Sequence, residues 1–439
     1  MATTTDSPAL PRRAERRAAI LVRLQTRRAL ITGFVALHAA FLIWLFPLMV
    51  AGGAEGDLPL YRKWAMSALE TGLWPGIDTD WVYPAGALVP VVLPAVFGAA
   101  AYQFVWFLLV TAANAASLWV LTDGGRRRTA FRAAWWWLAM LLVLSPVALL
   151  RLESFTTPLV IAALVILATR PVLASALLTV ATWIKIWPAA VLLAAVIASA
   201  RRRSIAVVAA VTSLVIVVAA VAAGGLWHVT GFLSMQDGRG LQLEAPLSTP
   251  WVWMAILHVP GAEIFQNWAL ETREVSGPGD IWIMENSNTV MIAAVLAIAA
   301  LIAWARWRTA TAADGGYRLV LTGALAAAAA FVVFNKVGSP QYMLWLVPIA
   351  VVGLAIRGRE WRTPVILLSA IAVATTLVFP VFYLALIDLN PWVAVVLGIR
   401  NALVVVLLGW AVRELWRIGR DGDVPAPARV MAGASTPQR

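Results

Sequence analysis

"ALITGFVALHAAFLIWLFPLMV" occupies residues 29–50 and carries no formally charged side chain. A helix needs about 20 such residues to cross a hydrocarbon core of roughly 30 Å. The run is too long for the core of a signal peptide, and it follows a basic segment, residues 1–28, that holds seven arginines. It therefore reads as a retained membrane anchor. Comparable runs recur up to the C-terminal region, and 62% of the 439 residues are hydrophobic while only 13% are charged. An ordinary soluble chain has roughly 45–50% and 25%. Alternating ten-residue strands are missing, so the spanning elements are helices. The expected fold is an all-α polytopic transmembrane bundle with about 10–12 membrane segments.

The net charge of +12 would point to nucleic acid in a soluble protein. Its distribution here points elsewhere. Arginine clusters at 126–132, 201–203, 306–308, 357–362 and 413–420 punctuate the apolar runs and mark a cytoplasmic side. Two long polar loops, 53–84 and 227–286, hold twelve acids and only four bases, Arg62, Lys63, Arg239 and Arg273, and are assigned to the outside. Both termini are then cytoplasmic, with residues 416–439 a disordered tail and 29–415 the transmembrane domain. There are no cysteines, and His38, His228 and His258 lack metal-ligand spacing.

Two segments do not fit simple crossings. Residues 85–98, interrupted by Pro90 and Pro94, read as an interfacial or re-entrant piece before a full span at 101–121. Residues 171–200 lie between Arg170 and Arg201, too few for two crossings and a turn. They read as two half-helices meeting at Lys185–Pro188, inside "WIKIWP". The remaining predicted spans are 133–150, 157–169, 204–226, 288–305, 317–334, 341–356, 363–383 and 392–412. This path brings "GDLPLYRKW" (56–64), "RLESF" (151–155), "QDGRGLQLEAP" (236–246) and "NKVGSPQY" (335–342) to the same, outer face.

Lysine usage gives an independent hint. Of 34 basic residues only Lys63, Lys185 and Lys336 are lysines, and none lies in an arginine cluster. A compact ammonium suits a phosphate oxygen as a point charge, although chance in an arginine-rich sequence gives the same count. Arg400 lies well inside an apolar helix and requires an anion: a lipid phosphate, or a buried acid such as Glu153. Asp57, Glu55, Asp78 and Asp80 are alike by spacing, and Glu153 and Glu244 serve equally as bases, ligand-binding groups or partners of Arg151 and Arg239. Most of the 23 tryptophans are expected in interfacial belts, and Trp64, Trp74, Trp81, Trp251 and Trp253, near the outer loops, either belong to those belts, the favoured reading, or stack on sugar rings or acyl chains.

The order "GDLPLYRKW…GLWPGIDTDWVYPAGALVPVVLP", "WIKIWPAAVL", "GRGLQLEAP", "NKVGSPQYMLWLVP", "IRNALVV" resembles the polytopic glycosyltransferases of the GT-C class, specifically glycosyltransferase family 87. The resemblance runs over about residues 29–415 and departs at "YPAG", where Ala85 stands in place of a second proline. It implies an inverting transferase in the plasma membrane that moves a sugar, mannose first, from a polyprenyl phosphate to a glycolipid or polysaccharide hydroxyl on the extracytoplasmic side. Asp57 takes the general-base role of the first-loop aspartate. Lys185, Lys336, Arg239 and Arg400 are the candidates for the donor phosphate. Tyr61, Arg62, Tyr83, Glu153, Gln242, Glu244, Gln341 and Tyr342 are the expected substrate-binding residues. No cofactor is required by the motifs, divalent-metal dependence is open, and the partners are the lipid donor, the acceptor and the bilayer. Polyprenyl-phosphate arabinose is the alternative donor, and a flippase or transporter of lipid-linked sugars is the competing reading from another class.

Overall fold

A computed structural model describes residues 24–235, 238–268, 270–309 and 315–422. The basic segment as far as residue 23, the tail from residue 423, and Gln236 and Asp237 of the "QDGRG" motif lie outside the described residues. Among the described residues seven helices are long and apolar enough to cross a membrane, and the fold is helical with almost no strand.

The first run forms α1 (Arg27–Val50). The first polar loop then holds a helix that its charge had concealed, α2 (Leu58–Thr71), whose buried Leu58, Tyr61, Ala65 and Ala68 recur every three to four residues. Residues 85–97 form the expected irregular piece, a short helix with 3₁₀ turns at both ends, because Pro90 and Pro94 each remove a backbone donor. It is followed by α3 (Tyr102–Thr122) and α4 (Phe131–Val143). The span expected at 133–150 thus stops at Val143, and residues 144–152 turn around Pro146 into α5 (Glu153–Ile166).

The broken helix is present as α6 (Pro171–Ile184) and α7 (Pro188–Ala198). Lys185 is extended, with φ −153° and ψ 136°, and Pro188 has no N–H to continue the ladder. Next come α8 (Arg202–Ala222) and the second long loop, which contains α9 (Thr249–Ile256) and a small antiparallel sheet. Its strands β1 (Leu241–Gln242), β2 (Glu263–Asn267) and β3 (Thr272–Ser276) are ordered β1-β3-β2. The span expected at 288–305 starts earlier, as α10 (Asp280–Arg308), because "DIWIMENS" continues the helix beyond the apolar run.

The most buried span is α11 (Gly315–Val333), whose alanines let α7, α10 and α14 approach closely. Helices α12 (Met343–Arg357) and α13 (Arg362–Thr376) pack as a hairpin, with Trp361 seated on Gly353. The span expected at 363–383 ends in a π turn, Leu377–Val381, around Pro380. The last helix is α14 (Pro391–Asp421).

Contacts gather the arginine-rich helix ends at one end of the bundle. Trp135 Nε1 donates to the Leu24 carbonyl at 2.8 Å, Arg27 lies 5.3 Å over the Trp119 ring, Arg308 donates to the Gly419 carbonyl, and Arg318 pairs with Glu414. The polar motifs meet at the other end.

Candidate active site

Asp57 immediately precedes α2 but does not cap it, so its carboxylate is available to other partners. Gly56 makes this possible. Its φ is +66°, and a Cβ there would press on the Leu150 side chain at 3.1 Å, next to Arg151. Asp57 Oδ1 pairs with Arg151, and Oδ2 accepts from the Tyr61 hydroxyl at 3.2 Å. The Tyr61 hydroxyl is in turn 3.4 Å from that of Tyr83. Burial raises both phenols, so they remain protonated donors. Trp64, Trp81 and Tyr83 close this corner edge to face.

A second pair sits at the helix break. Lys185 Nζ is 2.6 Å from Glu153 Oε1 and 5.2 Å from the Tyr83 ring centroid. Glu153 is fully buried at the start of α5 and also accepts from Trp345 Nε1 at 3.1 Å, while its Oε2 is buried with no hydrogen-bond partner among the described residues. Trp345 stacks on both Trp187 and Tyr342. The interruption in "WIKIWP" therefore turns the lysine out of the ladder and onto a carboxylate.

The other wall is built by two motifs far apart in sequence. Gln242 N–H donates to the Lys336 carbonyl at 3.0 Å, and Gly338 N–H donates to Gln242 Oε1 at 3.1 Å. Gly338 has no room for a Cβ, because the Ala245 backbone lies directly against it. Lys336 Nζ donates to the Met284 carbonyl at 3.2 Å. Glu244 pairs with Arg400 at 3.0 Å, and the next residue, Asn401, donates to Thr249 Oγ1 at 2.8 Å. Burial pushes the Glu244 carboxyl up to about 7 against the opposing pull of Arg400 and Arg151.

These walls enclose a cavity of about 1270 Å³. Asp57, Tyr83, Lys185, Arg239, Gln242, Glu244, Lys336, Gln341 and Tyr342 line it, so residues named from three of the four outer motifs, from "WVYPAG" and from the helix break share one space. All three lysines of the chain border it. Four of the residues named from sequence do not line it. Arg400 is only 1% exposed and is engaged by Glu244 rather than by Glu153, so a donor phosphate could reach it only by displacing that acid. Arg62 donates to the Gly52 and Ala99 carbonyls and ties loops together. Tyr61 and Glu153 stand behind Asp57 and Lys185 as their hydrogen-bond partners. Trp74, Trp251 and Trp253 are also outside the lining, whereas Trp64 and Trp81 belong to it.

Sequence reasoning overlooked Arg151 and Arg273 as lining cations, and Tyr383 with its hydroxyl. Both arginines, like Arg400, are isolated from the clusters, which was the available signal. Among the described residues no group of three or more His, Cys, Asp or Glu side chains is placed to hold a metal ion.

Residues 81–270 match the family model of glycosyltransferase family 87. The chain is a glycosyltransferase. The matched stretch is less than half of its length, and it includes Arg151, Glu153, Lys185, Arg239, Gln242 and Glu244 while leaving out Asp57, Lys336 and Arg400. No curated protein and no solved structure matched it. The transferase's cavity thus draws on both the matched stretch and the flanking helices.

Proposed function

We propose that this transferase is a GT-C-class enzyme that moves a sugar, mannose first, from a polyprenyl phosphate to a hydroxyl of a glycolipid or polysaccharide on the extracytoplasmic side of the plasma membrane. The observation that carries the reading is the meeting of Lys63, Lys185 and Lys336 with Asp57 in one cavity. Among the described residues six basic and four acidic side chains line that space, a balance that favours an anionic leaving group. Its rim includes the exposed apolar side chains Ile186, Leu233, Ile292 and Leu384, which suit a lipid tail entering from the side. The opposite end of the bundle carries the arginine clusters, which supports a cytoplasmic placement of that end.

In this reading Asp57 removes the proton from the acceptor hydroxyl as its oxygen attacks the anomeric carbon. The bond to the phosphate oxygen breaks, the electron pair leaves with the polyprenyl phosphate, and Lys185, Lys336 and Arg239 meet the growing charge. A single displacement inverts the anomeric centre, giving an α-linked product from a β-linked donor. Arg151 orients Asp57 by pairing with one carboxylate oxygen, and Tyr61 fixes the second.

The test is incubation of the purified protein in lipid with synthetic polyprenyl-phosphate mannose and polyprenyl-phosphate arabinose in parallel, with mass spectrometry and anomeric analysis of the products. Transfer of mannose with inversion is expected. Transfer of arabinose alone reassigns the sugar. Use of a nucleotide sugar but of neither lipid donor overturns the donor class, and a product with retained configuration overturns the single displacement.

A further inference from the structure

Past Arg239, Asn288 and Lys336 lies a second chamber of about 530 Å³, and these three residues border both spaces. Its remaining polar lining is Glu274 and Glu285. Among the described residues two acids stand against two bases, a balanced lining with no excess of cations to draw a phosphate. What it offers is an alternation of acceptors and donors around a volume within the usual ligand range of about 300–1,000 Å³. That is the chemistry of a neutral polyhydroxylated ring.

The chamber is built rather than incidental. Glu274 is buried on β3 and held by Asn267 Nδ2 at 3.2 Å and Thr272 Oγ1 at 2.8 Å. Facing it is Gly240, where any side chain would meet that carboxylate. Glu285 and Asn288 are one turn apart on α10 and share a face. Arg239 Nε is buried with no hydrogen-bond partner among the described residues, a donor available to a ligand oxygen. Glu285 is exposed at the rim, so this space opens through a polar edge, unlike the apolar flank of the main cavity.

We infer that the side chamber is a subsite for a second neutral sugar ring of the acceptor, so that the enzyme extends a glycan already carrying at least two rings. The inference rests on the proposed transfer to a glycan or glycolipid acceptor, but the chamber's ligand can be tested without turnover. Binding of methyl α-mannoside, α-linked mannobiose and inorganic pyrophosphate to the full-length protein in detergent is measured by calorimetry. Mannobiose should bind at least tenfold more tightly than the one-ring sugar, and Glu285→Gln should erase that gain. Glu274→Gln should do the same. Because Glu285 is at the rim, its variant keeps the test valid if loss of the buried Glu274 charge impairs folding. Transfer to a one-ring acceptor should be unchanged in Glu285→Gln. Equal affinity for one and two rings, absence of mannobiose binding, or competition between pyrophosphate and mannobiose that depends on Glu285 overturns the subsite. Mannobiose binding in a protein that transfers no sugar from either lipid donor would uphold the subsite while sinking the proposed donor.

Discussion

The two ends of the bundle use the same chemistry of paired charges to opposite effect. At the arginine end, Arg126 and Asp123 pair with side chains 80% and 51% exposed, and Arg420 pairs with Asp421 in similar exposure, while Arg318 with Glu414, at 34% and 14%, is the more covered pair there. At the cavity end, Arg151 with Asp57, Lys185 with Glu153 and Arg400 with Glu244 are at most 22% exposed. Water and salt screen the first set, so those pairs serve chiefly as a charge label for one side of a membrane. In the second set each charge has lost most of its contact with bulk water, and each depends on its partner or on a ligand. Only there can bringing in an anion rearrange the pairing, and only there are lysines used.

The largest effect expected from breaking this contrast is at Asp57. Asp57→Asn keeps the shape and one acceptor for Tyr61 but removes the proposed base and the carboxylate that faces Arg151. Turnover should fall by about 10²–10⁴-fold, with donor binding preserved in an equilibrium titration. Full turnover would move the base to another carboxylate of the same lining.

Next in size is Arg400. From sequence it is a donor-phosphate candidate, yet its guanidinium is spent on Glu244. Arg400→Gln should therefore lower stability by about 3–5 kcal/mol, read as thermal midpoint in detergent, by leaving Glu244 uncompensated. Adding Glu244→Gln should recover part of the loss. Weaker donor binding without any loss of stability would restore a direct role for the arginine.

How much of this was legible beforehand follows from which signals are local. Apolar runs, prolines and arginine clusters act over one helix, and they located α1, α3 and the break at Lys185 to within a few residues. Helix α2 was missed because Arg62 and Lys63 read as loop charges, although Leu58, Tyr61, Ala65 and Ala68 already carried helical spacing. The start of α10 was missed for the same reason: "DIWIMENS" is polar and helical at once. The partners of buried charges were the least legible. Glu153 and Glu244 were set beside Arg151 and Arg239 by proximity in sequence. The fold instead joins Glu153 to Lys185 and Glu244 to Arg400, residues 32 and 156 positions away. Pairing across a cavity is decided by tertiary packing, which no short window of sequence contains.

A smaller effect separates the two ends by pH. The ordinary carboxyl of an unfolded chain titrates near 4.5, while that of Glu244 is raised to about 7 by burial. Between these values the native state holds a proton that the unfolded chain has released. The contribution of Glu244 is therefore fully present below about 4.5 and is lost as pH rises toward 7. Glu244→Gln should flatten the fall in thermal midpoint over that window, even though its midpoint is lower throughout. An unchanged slope would assign the pH dependence to another group.

The smallest effect is the control that gives the others meaning. Arg126 and Asp123 close a hydrogen-bonded pair just after α3, with Arg126 Nε donating to Asp123 Oδ2 at 3.1 Å and Nη2 donating to Oδ1 at 2.9 Å. Both side chains remain in contact with solvent, so removing one returns the other to water without a desolvation debt. Arg126→Ala should leave thermal midpoint and turnover unchanged, because the neighbouring Arg127, Arg128 and Arg132 still label that end as basic. A loss comparable to that of Arg400→Gln would mean that the exposed pair anchors the turn between α3 and α4. The distinction between a labelling end and a working end would then fail at the place where solvent exposure makes it most secure.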